Sequence, residues 1–444
     1  MAFEKFHYKN LTELTDTLKE QGYPLPARED FSVLATPITI HGKTIPNRIV
    51  YQPMEGCDGT PGGSPDTLTI RRYERFAKGG PGLVWFEATA ITEDGRANPR
   101  QLWIREENKE DFRAIVKMIK EICLKENGFE PIVIMQATHS GRYSKPHGKP
   151  EQIIAYNNPI FEGDTPLSPD HIITDERLRE LEDCMVKAAL LAQEVGFDGV
   201  DIKCCHRYLN CELLSAYNRE GEYGGSFENR TRFYLNCVRK VMKAVDPSFI
   251  VTSRLNVYDG FPYPYGFGVR PDCGIEPDMT EAKKLIGLLA DEGVELLDVT
   301  MGNPYFNPHV NRPFDGGPYV PEEHPLLGVG RMLALTGELQ KAYPNVQIIC
   351  SGTSYLREFL PNIGAGLVEE GMAAMVGIGR MNFAYPDFAK DVVAGKIDAG
   401  NVCITCGMCS MIMRNGSTPG CVVRDAEVYL PLYKEHVHDR NIIV

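Results

Sequence analysis

Short apolar runs recur along the chain, each closing in small or polar residues. They are "NRIVYQPM" (47–54), "GLVWFEATA" (82–90), "PIVIMQATH" (131–139), "GVDIKCC" (199–205), "FIVTSRLNV" (249–257), "ELLDVTMG" (295–302), "VQIICSGT" (346–353) and "AAMVGIGR" (373–380). Such runs suit strands covered on both faces, as in a parallel sheet. Amphipathic stretches separate several of them. In "EDCMVKAALLAQEVG" the residues Met185, Ala188, Ala189, Ala192 and Val195 share one helical face, and Gly196 stands where that helix should stop. Strands alternating with helices in this way predict an α/β fold, a (β/α)8 TIM barrel with its site at the carboxyl ends of the strands. A doubly wound open sheet is the rival, but no GxGxxG fingerprint opens a strand–helix unit.

The same pattern divides the chain into a helical extension (1–34), the barrel (35–400) and a cysteine-rich segment with an irregular tail (401–444). The stretches 258–278 and 302–329 are rich in Pro, Gly and aromatic residues. Long loops that follow strands tend to be functional lids rather than idle linkers.

Composition narrows the function. Hydrophobic residues at 43% and charged residues at 24% describe a globular chain with ample core. A formal net charge of −13 argues against a nucleic-acid partner, which would need a basic face. The opening "MAFEKFHYKNLTELTDTLKEQGY" is charged throughout, and no run reaches the roughly 18–20 apolar residues that span a bilayer. Neither secretion nor a membrane partner is expected, and a cytoplasmic location follows. Thirteen cysteines then suggest metal ligation or redox chemistry before disulfides.

Two stretches carry candidate chemistry. "CITCGMCSMIMRNGSTPGC" sets Cys403, Cys406, Cys409 and Cys421 in a C-x2-C-x2-C-x11-C spacing. Four thiolates so spaced can wrap an iron–sulfur cubane; structural zinc is the chemical alternative, although it usually takes two more symmetric pairs. "DIKCCHRYLN" (201–210) crowds Lys203, His206 and Tyr208 at the end of one strand. A metal site, a catalytic site and a solvated polar rim all fit that run by itself.

The motifs "PNRIVYQPM", "FEATAITEDGR", "MQATHSGR", "EYGGSFENRTRF", "SGT" and "GIGR" occur in an order that resembles the old yellow enzyme family of FMN-dependent oxidoreductases, over about residues 35–425. The cysteine segment resembles that of its larger members, bacterial 2,4-dienoyl-CoA reductase and trimethylamine dehydrogenase. The resemblance implies FMN in the barrel and a [4Fe-4S] cluster on the four cysteines. It assigns Pro53, Met54 and Ala88 to backbone that meets the flavin, and Gln136 to the pyrimidine edge. Arg254 falls beside N1 and O2, and Gly352, Gly379 and Arg380 fall at the phosphate. Glu55 stands where a small Thr or Cys usually contacts the ring, a departure that bears on the flavin's potential. Lys203 and His206 take the positions of a pair that binds a carbonyl oxygen above the flavin, with Tyr208 as the proton donor. Lysine in place of the first histidine is a second departure; it favours a carboxylate, a phenolate or a strongly polarised carbonyl. By contrast, Arg219, Glu222, Asn229 and Arg230 read as structural ion-pairing residues.

The implied function is an FMN-dependent ene-reductase acting on a small unsaturated carbonyl or carboxylate compound. The alternatives are an amine-type dehydrogenase, whose cation-binding aromatic bowl would draw on Tyr258, Tyr263, Tyr265, Tyr305 or Phe306, and a non-catalytic electron-transfer subunit. The larger members continue into FAD- and nucleotide-binding domains beyond the point matching Val444. Electrons are therefore expected from NADH or NADPH directly, or from a donor protein such as a ferredoxin or flavoprotein subunit. The sequence leaves a homo-oligomer open.

Overall fold

The computed structural model describes residues 5–438; the ends of the predicted extension (1–4) and tail (439–444) lie outside the described residues. Eight parallel strands close into a barrel in the order β10-β3-β4-β5-β6-β7-β8-β9. They are β3 (Ile49–Tyr51), β4 (Leu83–Ala90), β5 (Ile132–Thr138), β6 (Gly199–Ile202), β7 (Ile250–Asn256), β8 (Leu296–Thr300), β9 (Gln347–Cys350) and β10 (Met375–Ile378). Each lies inside one of the apolar runs, so the TIM barrel expected from the pattern is the fold. The helix Asp175–Glu194 buries Met185, Ala188, Ala189 and Ala192, and Gly196 follows it with φ 98°.

An antiparallel hairpin, β1 (Ile38–Ile40) with β2 (Lys43–Ile45), was not anticipated. Its Ile40 and Ile45 join Val50, Leu83, Trp85, Ile134, Leu296 and Ile349 in a buried cluster, which closes the amino-terminal end of the barrel. Because strand side chains alternate in direction, the residues two further along also face inward, and here they are polar. Val50 gives way to Gln52, Ile134 to Gln136, Leu296 to Asp298 and Ile349 to Ser351. Gln52 Nε2 donates to Asp298 (2.8 Å) and to Ser351 (2.6 Å), and the Ser351 hydroxyl donates to Asp298 (2.8 Å). The barrel is therefore apolar at one end and hydrogen-bonded at the other.

A bulge between Phe86 and Ala88 sets Ala88 opposite Gln136 and turns Glu87 outward. There Glu87 meets Arg72 of the helix Thr67–Lys78, which also grips Asp58 at 2.5 and 3.0 Å. Gly56 N donates to the second Glu87 oxygen at 2.6 Å, so the cluster fixes the loop that follows β3. Arg219 and Arg230 pair with Asp175 (2.8 Å) and Glu281 (2.6 Å), and Glu222 pairs with Arg179 (2.7 Å). Among the described residues no helix is long and apolar enough to cross a membrane.

Arg72, Asp58 and Glu87 are all at most 3% exposed. Removing the cation strands two buried carboxylates, so Arg72→Ala is expected to lower unfolding free energy by about 3–5 kcal/mol in urea titrations. A loss under about 1 kcal/mol would show that the cluster does not hold this loop.

Candidate active site

Beyond β6 the backbone stays in register for two more residues, Lys203 N donating to Ala137 O at 3.1 Å and Cys204 N to Arg254 O at 3.0 Å. It then turns sharply. His206 and Arg207 are both left-handed, with φ 61° and 63°, a conformation that side chains with a β-carbon adopt only when the surroundings impose it. The buried Arg207 guanidinium imposes it here. It donates to Asp259 (2.9 Å), the Ser215 hydroxyl (2.6 Å) and the Tyr156 hydroxyl (2.9 Å). Asp259 also accepts from Phe267 N (2.8 Å) and Asn256 (2.9 Å), which ties the turn to the 258–278 loop. Tyr208 emerges at the head of the helix Leu209–Leu214.

That turn delivers Lys203, His206 and Tyr208 to a cavity of ≈ 140 Å³ at the carboxyl ends of the strands. Lys203 is buried, its ammonium 3.6 Å from the centroid of the Tyr208 ring, so it is not a solvated rim lysine. Burial lowers its pKa, opposed by Cys205, Glu55 and Asp201. Burial, then the Arg254, Lys203 and Arg312 cations, hold His206 well below its ordinary value, so the ring is neutral, and its Nε2 has no partner. The Tyr208 hydroxyl donates to Glu55 Oε2 at 3.2 Å and shares a hydrogen bond with the Tyr305 hydroxyl at 2.9 Å.

The candidate cofactor residues line the same cavity: Pro53, Met54 and Glu55 after β3, Ala88 and Gln136 on β4 and β5, Arg254 on β7, Gly352 after β9, and Gly379 with Arg380 after β10. Gln136 gives its amide nitrogen to Asp201 at 2.6 Å, which leaves the carbonyl oxygen for a ligand donor. Asp201 also accepts from Trp85 Nε1 and Arg254 N, both at 2.8 Å. Arg254 Nε lies 3.2 Å from Asp298, and the rest of the guanidinium is left to the cavity. Arg380 gives Nη2 to Pro313 O at 2.8 Å, while its buried Nη1 has no partner. Gly352 is left-handed (φ 75°), and a β-carbon there would sit 2.6 Å from Met332 Sδ. At Gly379 it would sit 3.2 Å from Met54 Sδ. Both glycines keep backbone open to a ligand.

Pattern reading missed Arg312 as a lining residue and left Tyr305 unassigned; both come from the 302–329 loop. Arg312 donates to Ser410 at 2.7 Å and joins Lys203, Arg254 and Arg380, so the described lining is strongly cationic against the one carboxylate, Glu55. A loop without periodicity offers no sequence signal for either residue. Of the suggested bowl aromatics only Tyr305 reaches the cavity. Tyr258 is buried with its hydroxyl on Ile275 O, and Tyr263 and Phe306 are exposed.

Cys403, Cys406, Cys409 and Cys421 together line a second, smaller cavity of ≈ 20 Å³, and Cys409, Arg380 and Phe383 border both cavities. Thr405 N points at Cys403 Sγ (3.4 Å) and Arg424 N at Cys421 Sγ (3.3 Å). Among the described residues no group of three or more such side chains is drawn into metal-ligating geometry.

A closed parallel barrel with a cationic cavity at the carboxyl ends of its strands is the arrangement that the comparisons with known proteins address. Residues 33–267 match the NADH:flavin oxidoreductase / NADH oxidase family, and the chain belongs to that family. It is 32% identical to an NADPH dehydrogenase from Geobacillus sp. (strain WCH70) over 61% of this chain and 73% of that one. Its fold is similar to a 2-naphthoyl-CoA reductase, at 21% identity and TM-score 0.72, over 89% of this chain and 57% of that one. Similarity to histamine dehydrogenase from Rhizobium sp. 4-9, at 20% identity and TM-score 0.67, covers 88% of this chain and 52% of that one. The chain thus spans little more than half the length of these two solved structures. It is an FMN-dependent oxidoreductase, and the alternative of a non-catalytic electron carrier gives way to an enzyme.

Burial pushes the Asp201 carboxyl up to about 6, against the Gln136 hydrogen bond. Between its ordinary value of 3.8 and about 6 the folded chain holds a proton that the unfolded chain has released. The associated stability is present at low pH and lost as pH rises through that window. Asp201→Asn is expected to flatten the slope of unfolding free energy against pH there. An unchanged slope would place the titration elsewhere.

Proposed function

We propose that the larger cavity holds FMN, and that the enzyme reduces the C=C bond of an α,β-unsaturated carbonyl or carboxylate compound. The observation that carries this reading is one cavity joining incompletely paired guanidinium groups to a lysine, a neutral histidine and a tyrosine. Bound FMN supplies the hydride. Arg380, with the open backbone at Gly352 and Gly379, receives the phosphate. Gln136 would hold the ring by accepting a hydrogen bond at its carbonyl oxygen, and the Arg254 guanidinium would stabilise negative charge on the reduced cofactor. Ala88 leaves room for the ring, which Pro53 and Met54 meet through backbone.

The Lys203 ammonium and His206, in its Nε2–H tautomer, both donate to the substrate oxygen. They draw electron density from the double bond and prepare the β-carbon for hydride. The departure to lysine at position 203 suits an oxygen with full negative charge, such as a carboxylate. Tyr208 protonates the α-carbon as general acid. The four cysteines would hold a [4Fe-4S] cluster: all line one cavity, and backbone N–H groups face two of the sulfurs, as cluster sulfurs require. NADH, NADPH or a donor protein such as a ferredoxin or flavoprotein subunit supplies the electrons.

Amine oxidation is the second reading. The rings of Tyr208 and Tyr305, stacked 6.3 Å apart in the cavity lining, favour it. Lys203 opposes it, since a buried ammonium repels a cationic substrate.

Tyr208→Phe is expected to cut turnover of an enoate or enone panel by about 10²-fold or more, with FMN reduction retained. Unchanged turnover would end the general-acid assignment. Arg380→Ala is expected to weaken FMN binding by about tenfold or more in a fluorescence titration. Unaltered affinity would move the phosphate elsewhere. Cys421→Ser, purified without air, is expected to lose iron and sulfide that the wild-type chain retains; zinc in the wild type would contradict the cluster.

A further inference from the structure

Tyr208 is 1% exposed, and burial, then the neighbouring Glu55, push its hydroxyl well above the ordinary value. A phenolate left there after proton donation is costly, so a second proton has to follow closely. Glu55 is placed to provide it. One carboxyl oxygen meets the Tyr208 hydroxyl at 3.2 Å, and the other accepts from Asn98 Nδ2 at 2.9 Å. Glu55 itself lines the cavity, whereas Asn98 stands outside that lining and is partly exposed, so the contact with Asn98 is the one that leads toward solvent. Its loop is held from behind, Gly56 N donating to Glu87 within the Arg72 cluster.

We propose that Glu55 is the proton donor that recharges Tyr208. The inference rests on Tyr208 being the general acid. The electron pair on the substrate's α-carbon takes the Tyr208 proton, forming C–H as the phenol O–H breaks. The phenol O–H re-forms as the Glu55 carboxyl O–H breaks, and Glu55 regains a proton from water on the Asn98 side. No further oxidant or reductant is needed. The positive charge of Lys203 favours the ionised form of Glu55 and so stabilises the carboxylate formed in passing.

The titratable groups facing Glu55 are Lys203 and Tyr208 from the end of β6, Tyr305 from the 302–329 loop, and Cys57 from its own loop, whose thiol lies 3.9 Å from Oε1. Burial raises the Glu55 pKa, and the Lys203 ammonium offsets only part of that rise. The protonated, competent form therefore persists to higher pH than for an ordinary glutamate, and the rate falls as pH rises through that raised value. Tyr305 is the competing donor, because its hydroxyl also reaches Tyr208 at 2.9 Å.

The test uses FMN-loaded protein with 2-cyclohexenone as probe, followed by stopped-flow reoxidation of the reduced enzyme. Infrared difference titration of the same protein reads the carboxyl proton whatever the substrate. Glu55→Gln is expected to slow reoxidation by about tenfold or more, to remove the decline at high pH, and to delete a protonated-carboxyl band that in the wild type persists to higher pH than that of an ordinary glutamate. Absence of that band in the wild type overturns the proposal. So does a Glu55→Gln enzyme with wild-type rate and pH profile beside a slow Tyr208→Phe, or a loss confined to Tyr305→Phe. A Tyr208→Phe enzyme at wild-type rate removes the general acid itself and the relay with it.

Discussion

The ion pair between Arg207 and Asp259 is the constraint on which the mouth of the barrel depends. Two consecutive left-handed residues at His206 and Arg207 are each disfavoured by about 1–2 kcal/mol. They persist because a buried guanidinium finds a carboxylate and two hydroxyls only in that conformation. Straightening the turn would strand the charge, which costs more than the strain. The same pair fixes how Lys203, His206 and Tyr208 stand relative to one another, and it anchors the loop that follows β7. Strain at this point is thus a consequence of electrostatics paid out in burial, and it falls where the chemistry is proposed.

Beneath the mouth, the barrel interior changes character within two to four residues along several of its strands. An apolar floor of Ile, Val, Leu and Trp gives way to Gln52, Gln136, Asp201, Arg254 and Asp298. These groups partner one another by hydrogen bonds and by the Arg254–Asp298 ion pair, and part of Gln136 and of Arg254 is left to the cavity. Asp201 takes the Gln136 nitrogen and frees its oxygen; Asp298 takes one edge of Arg254 and frees the rest. The excess of cations around the cavity, with Arg312 and Arg380 unmatched by carboxylates there, suits an anionic group entering from above.

Much of this was legible in the chain. Continuous apolar runs located every barrel strand, because a strand covered on both faces has no polar side to blur the signal. The candidate flavin and catalytic residues meet in one cavity, since they follow the ends of strands and a closed parallel barrel brings strand ends together, while the four cysteines beyond the last strand line a second cavity. What escaped notice lacked periodicity. The hairpin Ile38–Ile45 is too short to stand out from its surroundings, and Tyr305 and Arg312 are placed by the path of a loop. The bulge at Glu87 was equally invisible, because a one-residue shift leaves an apolar run looking continuous. The left-handed turn carries neither glycine nor asparagine, the residues that usually announce one.

The most direct measurement is a titration of p-hydroxybenzaldehyde into FMN-loaded protein, watched in the visible spectrum and repeated with Lys203→Met. If Lys203 and His206 hold an oxygen anion over the flavin, a long-wavelength band grows to saturation at one ligand per chain, and the substitution weakens it. A spectrum that stays that of unliganded flavin, or a band indifferent to position 203, would mean that this cavity does not present a bound oxyanion to FMN.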